Sequence, residues 1–311
     1  MIERAVVTGA AGFIGSHVVT RLVKELGVNA IGIDNEQTGD WSRVDVPCTR
    51  IDRDLVTTTA DELQGLLEGN DVLFHLAAEK YNSSSSTPQR VIDVNISATQ
   101  RLFSAAATVG VRKVVFASSL YAYGYVGPGR MKEEQLPAPT TTYGMSKIAG
   151  EHLLRVVSAE HDLDWTVARL FFVYGPRQWA RGGYKSVILS NFERIRRGEP
   201  PTIFGDGNQT LDYVYVDDAV DALLAMCEEE HSSVTYNVGT GRGVSIRELT
   251  DLMLEVAGSD LEPITCPPDW TAGSVRVADP GLASHRLGWT TSTSMSEGLR
   301  RVWHWIQDRD V

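Results

Sequence analysis

The chain has 311 residues, 42% hydrophobic and 22% charged, with 28 Gly and 12 Pro, which suits a water-soluble core of about two domains. With 29 Lys and Arg against 40 Asp and Glu, the net charge is −11, which excludes a general nucleic-acid binder and disfavours adhesion to an anionic membrane. Such a protein still binds anions where cations and helix N-termini gather in one cleft.

In chain order, residues 4–8 read as a strand buried on both faces, followed by a helix over 12–26 with Ile14, Val18, Leu22 and Leu26 at i, i+4 spacing. Residues 30–34, 71–76, 113–117 and 165–170 repeat the strand pattern, and 91–109 carries a second helical stripe. Strand, helix, strand, repeated, is the pattern of a parallel sheet with helices on both faces. Beyond 170 the texture changes. Residues 177–207 are rich in Arg, Gly and Pro, 212–216 and 234–238 read as strands, and capping boxes at Ser245 and Ser294 start two helices. The last helix stacks Leu299, Val302, Trp303 and Ile306 on one face, with Trp305 beside them. No apolar run approaches the roughly 20 residues that cross a bilayer. The opening Met1-Ile2-Glu3-Arg4 lacks the layout of a signal peptide. Cys48, Cys227 and Cys266 are far apart and form no CxxC pair, so no metal site is indicated and a reducing, cytoplasmic setting is the simple reading.

Three motifs carry chemistry. Gly9, Gly12 and Gly15 follow the first strand and open a helix, where glycines let a pyrophosphate approach the free N–H groups of the helix N-terminus. Asp34 ends the next strand, where a carboxylate accepts from a ribose diol and repels a 2′-phosphate, so the dinucleotide is NAD rather than NADP. Tyr143 and Lys147 stand at i, i+4 on one helix face, where a nearby ammonium stabilises phenolate and lowers the tyrosine pKa towards that of a general base. Ser119 lies at the C-terminal end of a strand, either as a proton-passing hydroxyl or as part of a plain turn. His75 reads as a hydrogen-bonded structural histidine, and Tyr121 and Tyr125 as walls of a sugar pocket or as loop packing.

These segments, in this order, resemble the extended short-chain dehydrogenase/reductase family, in its nucleotide-sugar epimerase/dehydratase branch. The resemblance is carried by TGAAGFIG at 8–15, HLAA at 75–78, SSLYAYG at 118–124, YGMSK at 143–147 and VYGPRQ at 173–178. FGDGNQTLDYVYVDD at 204–218, NVGTG at 237–241 and LGW at 287–289 extend it over essentially the whole chain. It implies an α/β fold: a Rossmann doubly wound sheet from residues 1–170 plus about 212–241. A smaller, discontinuous domain from about 171–211 plus 242–311 would bind a nucleoside diphosphate sugar. It implies Ser119, Tyr143 and Lys147 as catalytic residues. NAD contacts would come from Gly9, Gly12, Phe13, Ile14, Gly15, Asp34, Asn35, Asp52, Arg53, Leu76, Ala77, Ala78, Lys80, Asn95 and Ser118, besides Tyr143 and Lys147. It further implies a homodimer through helices matching 89–109 and 143–160.

Within the branch, 4,6-dehydratases carry Asp and Glu where this chain has Leu120 and Tyr121, and uronate decarboxylases place Glu where Tyr121 stands. The resemblance therefore points to a 4-epimerase, most simply of a UDP-hexose or UDP-hexuronate; a 4-ketoreductase or dehydratase of the same family is the alternative. Three departures lie on the substrate side: Phe172 replaces an Asn, Leu211 replaces an Arg that reaches the diphosphate, and Thr141-Thr142 leads into the catalytic Tyr. Arg177, Arg181, Lys185 and Arg276 are the candidate replacement cations, with Ser119, Leu120, Tyr121, Tyr143 and Phe172 as further substrate contacts.

Overall fold

The computed structural model describes residues 2–124, 127, 129–178, 185–227 and 233–308. The strands, in chain order, are β1 (Arg4–Thr8), β2 (Asn29–Asp34), β3 (Thr49–Asp52), β4 (Val72–His75), β5 (Lys113–Ser119), β6 (Arg130–Met131) and β7 (Asp164–Leu170). They continue with β8 (Phe172–Tyr174), β9 (Thr202–Phe204), β10 (Thr210–Tyr215), β11 (Val234–Val238), β12 (Gly243–Ser245), β13 (Ile264–Cys266) and β14 (Val275–Ala278). The helices are α1 (Phe13–Lys24), α2 (Ala60–Leu67), α3 (Ser83–Ser86), α4 (Pro88–Ile92), α5 (Thr99–Thr108) and α6 (Thr142–Glu160). After them come α7 (Val187–Arg196), α8 (Val216–Ala225), α9 (Ile246–Ala257), α10 (Gly281–Leu287) and α11 (Met295–Gln307).

Among the described residues, seven parallel strands form the main sheet in the order β11-β7-β5-β4-β1-β2-β3. The order reverses between β1 and β4, so this is a doubly wound Rossmann sheet, and its switch point is where such sheets bind ligands. β4 and β5 are buried along their whole length, as strands covered by helices on both faces must be. Gly150 lets α6 sit tightly on β5: a Cβ there would come 2.6 Å from the Phe116 ring.

A second sheet orders β12-β10-β14-β6, with β8 also paired to β10. Buried Asp212 ties it together, accepting from the Thr240, Gly241 and Ala278 N–H groups and from the Thr240 hydroxyl. The boundary expected near 212 therefore falls inside β10, a strand of the second sheet. The return to the main sheet begins with α8, which packs on α1, and is completed by β11. On α11, Leu299, Val302, Trp303 and Ile306 are all buried, each worth about 1.5–3 kcal/mol relative to exposure.

Several elements escape the sequence pattern, β3 and α7 among them. β3 lies at the sheet edge and is mostly exposed, so it lacks an apolar run. α7 buries Ile188, Leu189, Phe192 and Ile195 inside the stretch rich in Arg, Gly and Pro, where no helix is expected. The stripe over 91–109 is one continuous path but not one helix: a π-helical turn, Asp93–Ala98, separates α4 from α5. Such turns insert an extra residue and mark functional sites.

Candidate active site

A cavity of about 450 Å³ opens at the switch point, lined by the turns that follow β1, β2, β4 and β5 and by the start of α6. Gly9 has φ +72, and a Cβ there would come 2.8 Å from the Ala77 nitrogen, so only glycine lets these two turns touch. Cβ atoms at Gly12 or Gly15 would press on the Gly9 carbonyl. The α1 N-cap, Gly12, has no side-chain cap, and Phe13, Ile14 and Gly15 line the cavity, leaving the first-turn N–H groups for an anion.

Asp34 closes this half. Its carboxylate accepts from the Ala11 N–H at 3.0 Å and the Glu36 N–H at 2.8 Å. Burial raises its pKa, with those hydrogen bonds and nearby Arg43 opposing. The uncapped turn, the Gly9–Ala77 contact and this carboxylate together fit a dinucleotide. Asn35, Arg53, Leu76, Ala77, Ala78, Lys80 and Ser118 also line the cavity. Asp52 does not; Asp54, two residues on, takes that place and pairs with Arg90 at 2.7 Å. Asp52 ends edge strand β3, and the lining begins at the next residue, Arg53. Asn95 also stays out of the lining. Buried on the π turn, it accepts from the Glu79 N–H at 2.8 Å and donates to the Glu79 carbonyl and the Ser146 hydroxyl, clamping the loop that bears Lys80.

The other half centres on α6. Thr141 caps the helix by accepting from the Gly144 N–H, and Ser84 accepts from the Tyr143 N–H at 2.9 Å. Tyr143 and Lys147 project into the cavity. Lys147 Nζ donates to the Ala117 carbonyl at 2.8 Å and lies 5.6 Å from the Tyr143 ring centroid. Burial pushes the lysine down to about 8, opposed by Glu151. Burial pushes the Tyr143 phenol up to about 12, and a hydrogen bond with Ser119 pulls the other way. The lowered tyrosine pKa expected from the i, i+4 pair is thus not found: burial outweighs the Ser119 hydrogen bond. His75 is buried, bonded to Thr8 at 2.7 Å and Thr99 at 2.9 Å, and held neutral with its pKa pushed down to about 3 by burial.

A family model, NAD dependent epimerase/dehydratase family, matches residues 5–239. The chain belongs to this family. A UDP-glucose 4-epimerase of Mycolicibacterium smegmatis is 33% identical over 320 residues, covering 98% of this chain and 99% of the relative. The structure of a UDP-glucose 4-epimerase from Thermotoga maritima, with UDP-glucose, superposes with TM-score 0.91 at 34% identity, covering 98% of both chains. A UDP-glucuronic acid 4-epimerase from Bacillus cereus, with UDP-glucuronic acid and NAD, gives TM-score 0.87 at 29% identity over 98% of this chain and 99% of that one.

Within this family member the substrate-side expectations divide. Tyr121 lines the cavity, stacked on Tyr81 at 4.4 Å and edge-on to Tyr143 at 5.9 Å. Trp270 adds a third ring, 4.9 Å from Tyr81. Arg276 sits over the Tyr121 and Trp270 rings at 5.2 and 5.8 Å, and its buried Nη1 has no hydrogen-bond partner. Arg276 is the β14 register partner of Leu211 on β10. Phe172 touches Tyr121 and Tyr213 by ring contacts outside the cavity. Leu120 is core, packed with Tyr123, Met131 and Phe171. Arg177 turns away, bonding Thr20 and the Ser16 carbonyl of α1 and pairing with Asp45. Lys185 pairs with Glu193 on the surface. Neither reaches the substrate side, because nearer acceptors hold both. Arg181 and Tyr125 lie outside the described residues. Tyr81, Trp270, Asp54 and Arg90 carry no recognised spacing; the only clue is Asp54-Leu55 just after a strand without an apolar pattern.

Proposed function

We propose that the chain is an NAD-dependent nucleotide-sugar 4-epimerase acting on a UDP-hexose or UDP-hexuronate. One observation carries this reading above the family's other reactions. Among the described residues, the carboxylates lining the cavity are Asp34, Asp54 and Glu79; Asp34 holds backbone N–H groups, and the other two hold Arg90. The group next to Ser119 and Tyr143 is the Tyr121 ring, so no carboxylate among them stands ready to remove water or steer decarboxylation.

Gly9, Gly12, Gly15, Asp34, Asn35, Arg53, Asp54, Leu76, Ala77, Ala78, Lys80 and Ser118 are the residues that would hold NAD. Bound NAD supplies the hydride acceptor at C4 of the sugar and later the hydride donor. Tyr143 would take the C4 hydroxyl proton as general base, helped by Ser119, and return it to the keto oxygen after the ring has turned over; burial opposes the phenolate this needs, so the nearby Lys147 ammonium must supply the balance. Lys147, fixed by the Ala117 carbonyl, keeps positive charge beside the phenolate. Arg276 offers a charge-assisted donor to an anionic group of the substrate, in place of the cation lost at Leu211. A homodimer through α6 and the helical stretch 89–109 is part of this reading, supported by Met145 and Val156, exposed on α6. A cytoplasmic setting is supported by cysteine usage: Cys48, Cys227 and Cys266 are far apart and form no CxxC pair.

The test incubates the pure protein with UDP-glucose, UDP-glucuronate, UDP-N-acetylglucosamine or dTDP-glucose in deuterated water and follows the sugars by proton NMR. A C4 epimer without deuterium uptake is expected. Loss of water or carbon dioxide, or turnover only with added NADH, would replace the reading with a dehydratase, decarboxylase or ketoreductase.

A further inference from the structure

The catalytic pair continues by one more turn into a group that the proposed chemistry leaves unused. Tyr143, Lys147 and Glu151 stand at i, i+4, i+8 on α6, and Glu151 is almost wholly buried. Its Oε1 accepts from the Ser118 hydroxyl at 2.6 Å and from Arg169 Nε at 3.0 Å, and its Oε2 accepts from Arg169 Nη2 at 2.8 Å. Arg169 lies 4.5 Å over the Tyr123 ring, and Tyr123 donates to Asn237 Oδ1 at 2.7 Å. Asn237 in turn donates to the Met131 and Asp279 carbonyls of the second lobe. A buried ion pair of this kind adds little net stability over a packed apolar pair, so its position beside the reacting lysine calls for another reason.

Resting on the epimerase reading for the role of Lys147, we propose that Glu151 is a positioning residue that keeps Lys147 protonated and seated against Tyr143. The groups facing Lys147 are Tyr143 and Glu151 on its own helix, His75 on β4, the Ala117 carbonyl on β5 and, behind Glu151, Arg169 on β7. His75 is neutral and Ala117 uncharged, which leaves the Glu151 carboxylate as the anion of this set. Ser118 and Arg169 fix that carboxylate, so its field on Lys147 does not vary with rotamer. Burial alone favours neutral lysine; the Glu151 charge opposes it.

The experiment labels lysines at Cε with ¹³C, identifies Lys147 among the six by its loss in Lys147→Arg, and titrates it by NMR alongside the pH profile of kcat. In Glu151→Gln, the Lys147 midpoint and the alkaline limb of kcat are expected to fall together by about one pH unit or more. Glu151→Asp, which keeps the charge, is expected to hold both within about half a unit. Because Glu151→Gln leaves Arg169 buried without its anion, Glu151→Gln/Arg169→Met is measured beside it, with the same fall expected. A Lys147 midpoint unchanged in either folded variant overturns the proposal, even if activity drops. Absence of 4-epimerisation by the wild type would instead count against the functional reading, and the NMR titration would still decide the role of Glu151.

Discussion

The two sides of the cavity are built differently. The cofactor side is made mainly of backbone: a glycine turn, a helix N-terminus and one carboxylate at a strand end, all within residues 9–39. The other side is made of side chains delivered by remote segments: Tyr81 after β4 and Tyr121 after β5 line it, and Trp270 and Arg276 of the second lobe pack against their rings. Backbone geometry tolerates little change, because a single Cβ blocks it. Side-chain walls are less constrained, since side chains on neighbouring strands, such as Leu211 and Arg276, can be exchanged without moving the backbone. One side is suited to a constant ligand and the other to a varied one.

That contrast can be tested by mutation. The largest effect is expected where the two sides meet: Tyr143→Phe should cut epimerase kcat by about 10²–10⁴-fold while NAD remains bound, read by NMR turnover and by the cofactor released on denaturation. On the backbone side, Gly9→Ala places a Cβ 2.8 Å from the Ala77 nitrogen at φ +72 and should abolish copurifying NAD; retention of the cofactor would contradict the rigid-turn account. On the side-chain side, Arg276→Ala should raise KM about 10–100-fold with kcat changed far less, the loss of one charge-assisted hydrogen bond. Loss on UDP-glucuronate alone would place the guanidinium on the carboxylate, and equal loss on UDP-glucose would place it on the diphosphate. Leu211→Arg in that background should recover part of the KM if position matters less than charge.

The smallest effect at neutral pH belongs to His75, which anchors β4 under the cofactor side. Its folded pKa, about 3, lies below the unfolded value of 6.5, so its stability contribution is complete above 6.5 and is lost as pH falls towards 3. Thermal unfolding should show about 2–3 kcal/mol lost between pH 6.5 and about 4.5 from this group, and His75→Gln should lack that part of the slope.

Legibility in the sequence divides along the same line. Gly9, Gly12, Gly15, Tyr143 and Lys147 are readable because their chemistry depends on short spacing within one turn or one helix face, and Asp34 because it ends the strand that follows. Asp52 is one residue short of the segment 53–55 that lines the cavity, because β3 is an exposed edge strand with no apolar pattern to set the count. Asn95 reads as a cofactor contact, yet the π turn sets it to clamp Glu79 and Ser146 instead. Arg177 and Lys185 read as substrate cations, but charge says nothing about whether a nearer acceptor, here Thr20 and Glu193, already holds it.

Residue order alone therefore specified the parallel α/β alternation, the dinucleotide turn and the Tyr143–Lys147 pair, since periodicity and i, i+4 spacing are local quantities. Tertiary structure decided the rest. Parallel register set Arg276 beside Leu211, stacking gathered Tyr81, Tyr121 and Trp270, and burial joined Glu151 to Ser118 and Arg169. It also reversed the expected shift of Tyr143, because desolvation depends on what surrounds a side chain in space and not on its neighbours along the chain.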